Sequence, residues 1–82
     1  MDSTAKKISI DELAILSLKI TKDEITASIS DGRTVSIPIA WFPLLENASK
    51  SDLSNFEISP SGYGIHWPTL DEDITIQSFI NP

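Results

Sequence analysis

Cysteine is absent from this 82-residue chain. Disulfide staples, zinc–thiolate centres and thiol nucleophiles are therefore excluded, and the absence fits a reducing cytoplasm, where the protein is expected to reside. Long apolar runs are also missing. Nothing of the length that a signal peptide or a membrane span needs follows the polar start Met1-Asp2-Ser3-Thr4-Ala5-Lys6-Lys7, so neither is expected. Without secretion, the acceptor match at Asn47-Ala48-Ser49 has no glycosylation meaning. Basic side chains are scarce: six Lys and Arg stand against twelve Asp and Glu, a net charge of −6. Phosphate binding rests on Lys and Arg, so direct contact with nucleic acid or an anionic membrane is not expected, and a protein partner with a basic surface is. Repeats, linkers and low-complexity segments are missing as well. That leaves one domain over residues 1–82, folding alone or as a small homo-oligomer.

What the chain does have is apolar material for one core. Hydrophobic residues make up 40% and charged residues 22%, which puts the chain in the globular class and away from the disordered one. At this size burial exceeds chain entropy by about 5 to 10 kcal/mol. Residues 1–7 carry no apolar anchor after Met1 and are expected to fray, with Ile8, Ile10 and Leu13 beginning to hold the chain. Asp11-Glu12-Leu13-Ala14 reads equally as a helical turn or a bend.

Leu16, Leu18 and Ile20 alternate with Ser17, Lys19 and Thr21 at the two-residue period that sends one face of a strand into a core. After a turn at Lys22-Asp23, Ile25, Ala27 and Ile29 repeat the pattern, and after Asp31-Gly32 so do Val35, Ile37 and Ile39. Asp-Gly suits a two-residue type I′ turn, whose central positions both need positive φ. The prediction is a three-stranded antiparallel meander with one apolar face. Pro38 on the outward phase implies that the third strand is at an edge, or has ended its pairing, at that point. The period then changes. Trp41, Leu44, Leu45 and Ala48 fall at i, i+3, i+4 and i+7, which predicts one main helix with Pro43 in its first turn, packed on one face of the sheet. Ser49-Lys50-Ser51-Asp52-Leu53 reads as a break and a single turn capped by Ser51.

Phe56 and Ile58 form a fourth strand, Pro60-Ser61-Gly62 reverses the chain, and Tyr63, Ile65 and Trp67 form a fifth. That strand must stop where Pro68 removes an amide donor and restricts Trp67 to an extended conformation. This second hairpin extends the sheet. Ile74, Ile76, Phe79 and Ile80 fit a short helix as well as a strand; a short C-terminal helix is the expectation, with Asp71 or Asp73 at its cap. The expected fold class is α+β.

The candidate functional residues gather around the Trp67-Pro68 step. Asp71, Glu72 and Asp73 supply carboxylate oxygens that suit calcium or magnesium, but the run lacks the alternating ligands and central glycine of an EF-hand loop. No metal or cofactor is expected. As a solvated cap the three acids would only complement a helix dipole. As a patch beside Tyr63 and Trp67 they combine steering charge with aromatic anchor area. His66, the single histidine, is the one ordinary general base near neutral pH, and its strand phase points it outward, opposite Ile65 and Trp67. No serine stands in a nucleophile-elbow context to work with it. Trp41 and Trp67 read as core residues before they read as a stacking platform. Arg33, beside the hairpin turn, pairs with an acid of the domain, faces water, or joins a partner contact. An exposed pair there contributes well under about 1 kcal/mol.

Two blocks of sequence resemble a known family. They are Ser30-Asp31-Gly32-Arg33 leading into Val35-Ser36-Ile37-Pro38-Ile39-Ala40-Trp41-Phe42-Pro43-Leu44-Leu45, and Gly62-Tyr63-Gly64-Ile65-His66-Trp67-Pro68-Thr69-Leu70-Asp71-Glu72-Asp73-Ile74. In this order they are similar to the domain of unknown function 2442 family, over nearly all of residues 16–80. The resemblance implies a small α+β fold with an antiparallel sheet and a bacterial or phage-borne origin. It also implies an antitoxin-like component of a two-gene module, because genes of this family often lie beside another small gene. It brings no catalytic residues. Relatives place a basic residue where this chain has Leu44, so a contact made by that cation does not carry over.

Together these observations describe a small acidic protein-binding module and not an enzyme. Its contact is expected to be carried by Asp71, Glu72, Asp73, Tyr63, His66, Trp67 and Arg33. One alternative is a nucleic-acid-mimicking inhibitor, whose acidic face takes the phosphate site of a DNA- or RNA-binding protein. Another is a small hydrolase using His66 with the acidic trio.

Overall fold

Alternating apolar and polar residues build two separate antiparallel sheets in the structure, a computed structural model that describes residues 12–80. Strands β1 (Ile15–Ile20), β2 (Glu24–Ile29) and β3 (Thr34–Pro38) form the first, in the order β1-β2-β3. Its register stacks apolar rows on one face: Leu18, Ala27 and Val35 lie side by side, and so do Ile20, Ile25 and Ile37. The other face is polar, with Lys19, Thr26 and Ser36 in one row and the Thr26 and Ser36 hydroxyls 2.6 Å apart. Pro38 closes β3 on an edge, where its missing N–H interrupts no ladder. The expectations for residues 1–7, Ile8 and Ile10 lie outside the described residues.

The first strand departs from its predicted phase. Register shifts between Ile15 and Ser17, so Ile15 opposes Ile29 and is buried while Leu16 is the extra residue of a bulge and 63% exposed. Alternation from Leu18 onward is as predicted. The β2–β3 connection also differs from a type I′ turn. Gly32 takes φ +98°, Asp31 does not take positive φ, and the Ile29 amide still bonds the Arg33 carbonyl at 2.8 Å. Ser30, Asp31 and Gly32 therefore make a three-residue loop with glycine in its left-handed position.

The predicted main helix does not form. A 3₁₀ turn at Ile39–Trp41 is followed by α1 (Pro43–Glu46) and α2 (Lys50–Ser54), each a turn or little more. Two local causes break it. Phe42, the residue before a proline, sits at φ −127° and ψ 86°, outside helical space. Ser49 sits at φ −71° and ψ 161° and accepts a hydrogen bond from the Asp52 amide at 3.1 Å, so Ser49, and not Ser51, caps α2. Leu45 is fully buried, yet Trp41 is 52% exposed and Leu44 55%. The placement of Trp41 in the core is thereby corrected.

The second hairpin does not extend the first sheet. Strands β4 (Glu57–Ile58), β5 (Gly64–Trp67) and β6 (Glu72–Thr75) make a sheet of their own, in the order β4-β5-β6. Ile74 thus belongs to a strand, and the C-terminal helix is confined to α3 (Gln77–Ile80). Ile74 and Ile76, two apart, keep strand phase, and the helical spacing begins only beyond them. No acidic residue lies in the first turn of α3, so neither Asp71 nor Asp73 caps it.

One core serves both sheets. Ile25, Ile29 and Ile37 from the first, Leu45 from α1, and Ile65, Trp67 and Ile74 from the second are all buried in a single cluster with Phe79 of α3. Each such side chain contributes about 1.5 to 3 kcal/mol of transfer free energy. The sheets also join through backbone at Gly62, whose carbonyl accepts the Ile15 N–H at 2.7 Å. Gly62 has φ +76°, and a Cβ there would lie 2.5 Å from the Ala14 Cβ, so the close approach requires glycine.

Candidate functional site

The outer face of β4-β5-β6 is built by register. Inward-facing Ile58, Ile65 and Ile74 lie in one row, so the next row, Glu57, His66 and Asp73, faces out. His66 stands between two carboxylates on neighbouring strands. Its Nδ1 is 2.8 Å from Asp73 Oδ1, with both side chains open to solvent. Gly64, lacking a side chain, leaves the floor beside them open. A groove of about 500 Å³ results, lined by Glu57, His66, Asp73, Thr75 and Tyr63, with Tyr63 43% exposed at its flank.

The corner that delivers the acids is a tight turn. After β5 the Leu70 amide bonds the Trp67 carbonyl at 3.2 Å, and Asp71 takes φ +51° to bring the chain back as β6. Asp71 and Asp73 are exposed, and Glu72, opposite Trp67, is half-buried. Among the described residues, no lysine or arginine forms an ion pair with any of the three.

Two of the expected contact residues are elsewhere. Trp67 is fully buried, its indole N–H donating to the Leu53 carbonyl at 3.0 Å and its ring 6.0 Å from that of Phe56, so it anchors the core and cannot meet a partner. Its phase, shared with Ile65, already placed it inside. Arg33 belongs to the β2–β3 turn, where its Nε lies 2.7 Å from Asp31 Oδ2. Asp31 is held below the ordinary carboxylate value chiefly by the Arg33 backbone N–H; desolvation opposes this, next in size, and the Arg33 guanidinium adds to the lowering. Among the described residues, Arg33 has no bond to the β4–β6 face.

Glu57 is the residue that reading the sequence missed. The signal was its strand phase, opposite to Phe56 and Ile58, which across a hairpin puts it on the side of His66. Chemically, the imidazole–carboxylate pair of His66 and Asp73 can orient a proton. Ser59, one of the hydroxyls of the groove, instead accepts from the Gly64 amide at 3.1 Å, and the His66 side chain bonds only Asp73 among the described residues. Among those residues no group of three His, Asp or Glu side chains is arranged to hold a metal ion, and no helix is long and apolar enough to cross a membrane.

Two small antiparallel sheets sharing one core, with short helical turns between and after them, define a small α+β protein. The family model described as "Protein of unknown function (DUF2442)" matches residues 15–82, and the chain belongs to that family. Its fold is similar to a crystal structure of a protein of unknown function from Rhodospirillum rubrum, with 28% identity, 84% of this chain and 86% of that one covered, and a TM-score of 0.70. It is also similar to the solution structure of an uncharacterized protein from Chromobacterium violaceum, at 23% identity, covering 82% of this chain and 63% of that one, with a TM-score of 0.65. No curated protein matches the chain.

Proposed function

We propose that the chain is a binding module for a protein with a basic surface, contacted through the outer face of β4-β5-β6. One observation carries the reading: the carboxylates at the β5–β6 corner meet solvent with no lysine or arginine of the described domain against them. Exposed acids of this kind keep their charge available for steering, and Tyr63 beside them offers aromatic area for a well-packed contact. Glu57, Asp73, Asp71 and Tyr63 carry the contact, and His66 orients Asp73. Trp67 and Arg33 have no part in it. An antitoxin-like role, in which the basic partner is the product of an adjacent gene, is the specific form of this proposal.

Co-expression with the adjacent gene tests it. The expected result is a complex that copurifies at micromolar concentration, weakens with salt, and is lost in a Glu57→Gln/Asp73→Asn variant but kept in Arg33→Gln. No complex, or one indifferent to both carboxylates, overturns the proposal. Displacement of the partner by duplex DNA would replace it with nucleic-acid mimicry.

A further inference from the structure

We infer that a second cleft, walled in part by the α1–α2 segment, binds an apolar small molecule bearing a single negative charge. The cleft has a volume of about 640 Å³, within the range of small-molecule sites. Its walls are the β1–β2 turn, the α1–α2 segment and Phe56. Ile20, Ile39, Leu53 and Phe56 supply an apolar lining, and Lys22 and Lys50 stand among them.

Three features of the walls favour a ligand over simple solvation. First, the lining is held in place without one. The Trp67 indole fixes the Leu53 carbonyl at 3.0 Å and packs against Phe56, and Thr21 Oγ1 accepts from the Asp23 and Glu24 amides to set the turn that bears Lys22. Such preorganisation lowers the ordering cost of binding. Second, Ile20, Leu53 and Phe56 are only partly buried although they pack against the core, so apolar surface remains open at the cleft. Third, the charge there opposes that of the whole chain. In a protein of net charge −6, two lysines from different segments line one cleft, and neither side chain is bonded to a described residue. Glu46 lines the same cleft, and two positive charges less one negative leave a local charge of +1, which complements a monoanion.

The site takes an amphipathic acid, with its hydrocarbon or aromatic body against Ile39, Leu53 and Phe56 and its anionic group between Lys22 and Lys50. This does not rest on the proposed protein contact, which lies on the second sheet.

The test is a titration of the whole chain with 8-anilinonaphthalene-1-sulfonate, an aromatic monoanion, followed by fluorescence and by amide shifts in an NMR spectrum. The expected result is saturable one-to-one binding with shifts confined to the neighbourhoods of Ile20, Ile39 and Leu53. A Lys22→Ala/Lys50→Ala variant should weaken it about three- to tenfold, as two exposed charge contacts would. Lys19→Ala, on the polar face of the first sheet, should leave it unchanged. The uncharged analogue N-phenyl-1-naphthylamine should be insensitive to all three lysines. Shifts elsewhere, no saturation, or equal weakening by Lys19→Ala would overturn the inference. A circular dichroism spectrum of each variant shows that the fold is retained, which exposed lysine substitutions should allow.

Discussion

Replacing Gly62 by alanine probes the backbone junction between the two sheets. At φ +76° an L-residue is disfavoured by about 1 to 2 kcal/mol. The new methyl would lie 2.5 Å from the Ala14 Cβ and 2.9 Å from the Ile15 nitrogen, so the turn before β5 must retreat from β1. Crowding of that kind costs about 1 to 3 kcal/mol. Retreat also stretches the 2.7 Å hydrogen bond from Ile15 to Gly62, worth about 0.5 to 1.5 kcal/mol net. The expected loss is roughly 2.5 to 6.5 kcal/mol, a large part of the stability of a domain this size. Gly32→Ala is the control. It too has positive φ, +98°, but a Cβ there meets no atom within 4 Å, so it should lose only the conformational cost of about 1 to 2 kcal/mol. Urea unfolding followed by far-UV circular dichroism measures both. Losses equal to within about 0.5 kcal/mol would refute the close approach of the sheets, because the two sites share the strained backbone and differ in what surrounds it.

Trp67→Phe should destabilise by about 2 to 3 kcal/mol, through lost packing and an unsatisfied Leu53 carbonyl, and lower the melting temperature by roughly 10 to 20 °C. In the same variant, acrylamide should quench the remaining fluorescence as a single accessible population, since Trp41 is half exposed and Trp67 is the protected one. Ser49→Ala removes the N-cap of α2 and should lower the unfolding free energy in urea by about 0.5 to 2 kcal/mol, whereas Ser51→Ala should change it little. Asp31 has a carboxyl held below its ordinary value of 3.8, so its contribution is present above that value and fades as pH falls through the lower folded one. The stability gap between wild type and Asp31→Asn should therefore close on acidification, and a gap that widens below about pH 4 would contradict the Arg33 contacts.

Period-two patterning was enough to place Ile25, Ala27, Ile29 and Ile65 in a core, because a strand face admits no other phase. The helix reading of Trp41, Leu44, Leu45 and Ala48 failed because spacing takes no account of backbone continuity. Phe42 before Pro43 and extended Ser49 cut the run into turns, and only Leu45 kept its inward place. Ile74 was ambiguous for a related reason: two residues before Ile76 it fits a strand, five before Phe79 it fits nothing, and tertiary pairing with Ile65 decided. In the candidate site, His66, Asp71 and Asp73 were legible from strand phase and local turn chemistry, whereas Tyr63, in phase with Ile65 and Trp67, is exposed because β5 begins only at Gly64. Trp67 has the phase of Ile65, which is at odds with a place in the contact. Glu57 carried a signal in its strand phase, but its place beside His66 follows from the pairing register, which connects residues nine apart and is set by the loop between them.

The irregularity at Leu16 bears on how this molecule behaves in a crowded solution. β1 is an outer strand, and an outer strand with uninterrupted pairing groups is a template to which another chain can add. An inserted residue twists that margin and spoils its hydrogen-bond spacing just where Leu16, 63% exposed, sits. A leucine that would otherwise invite ribbon growth is thus carried on the part of the border least able to propagate it.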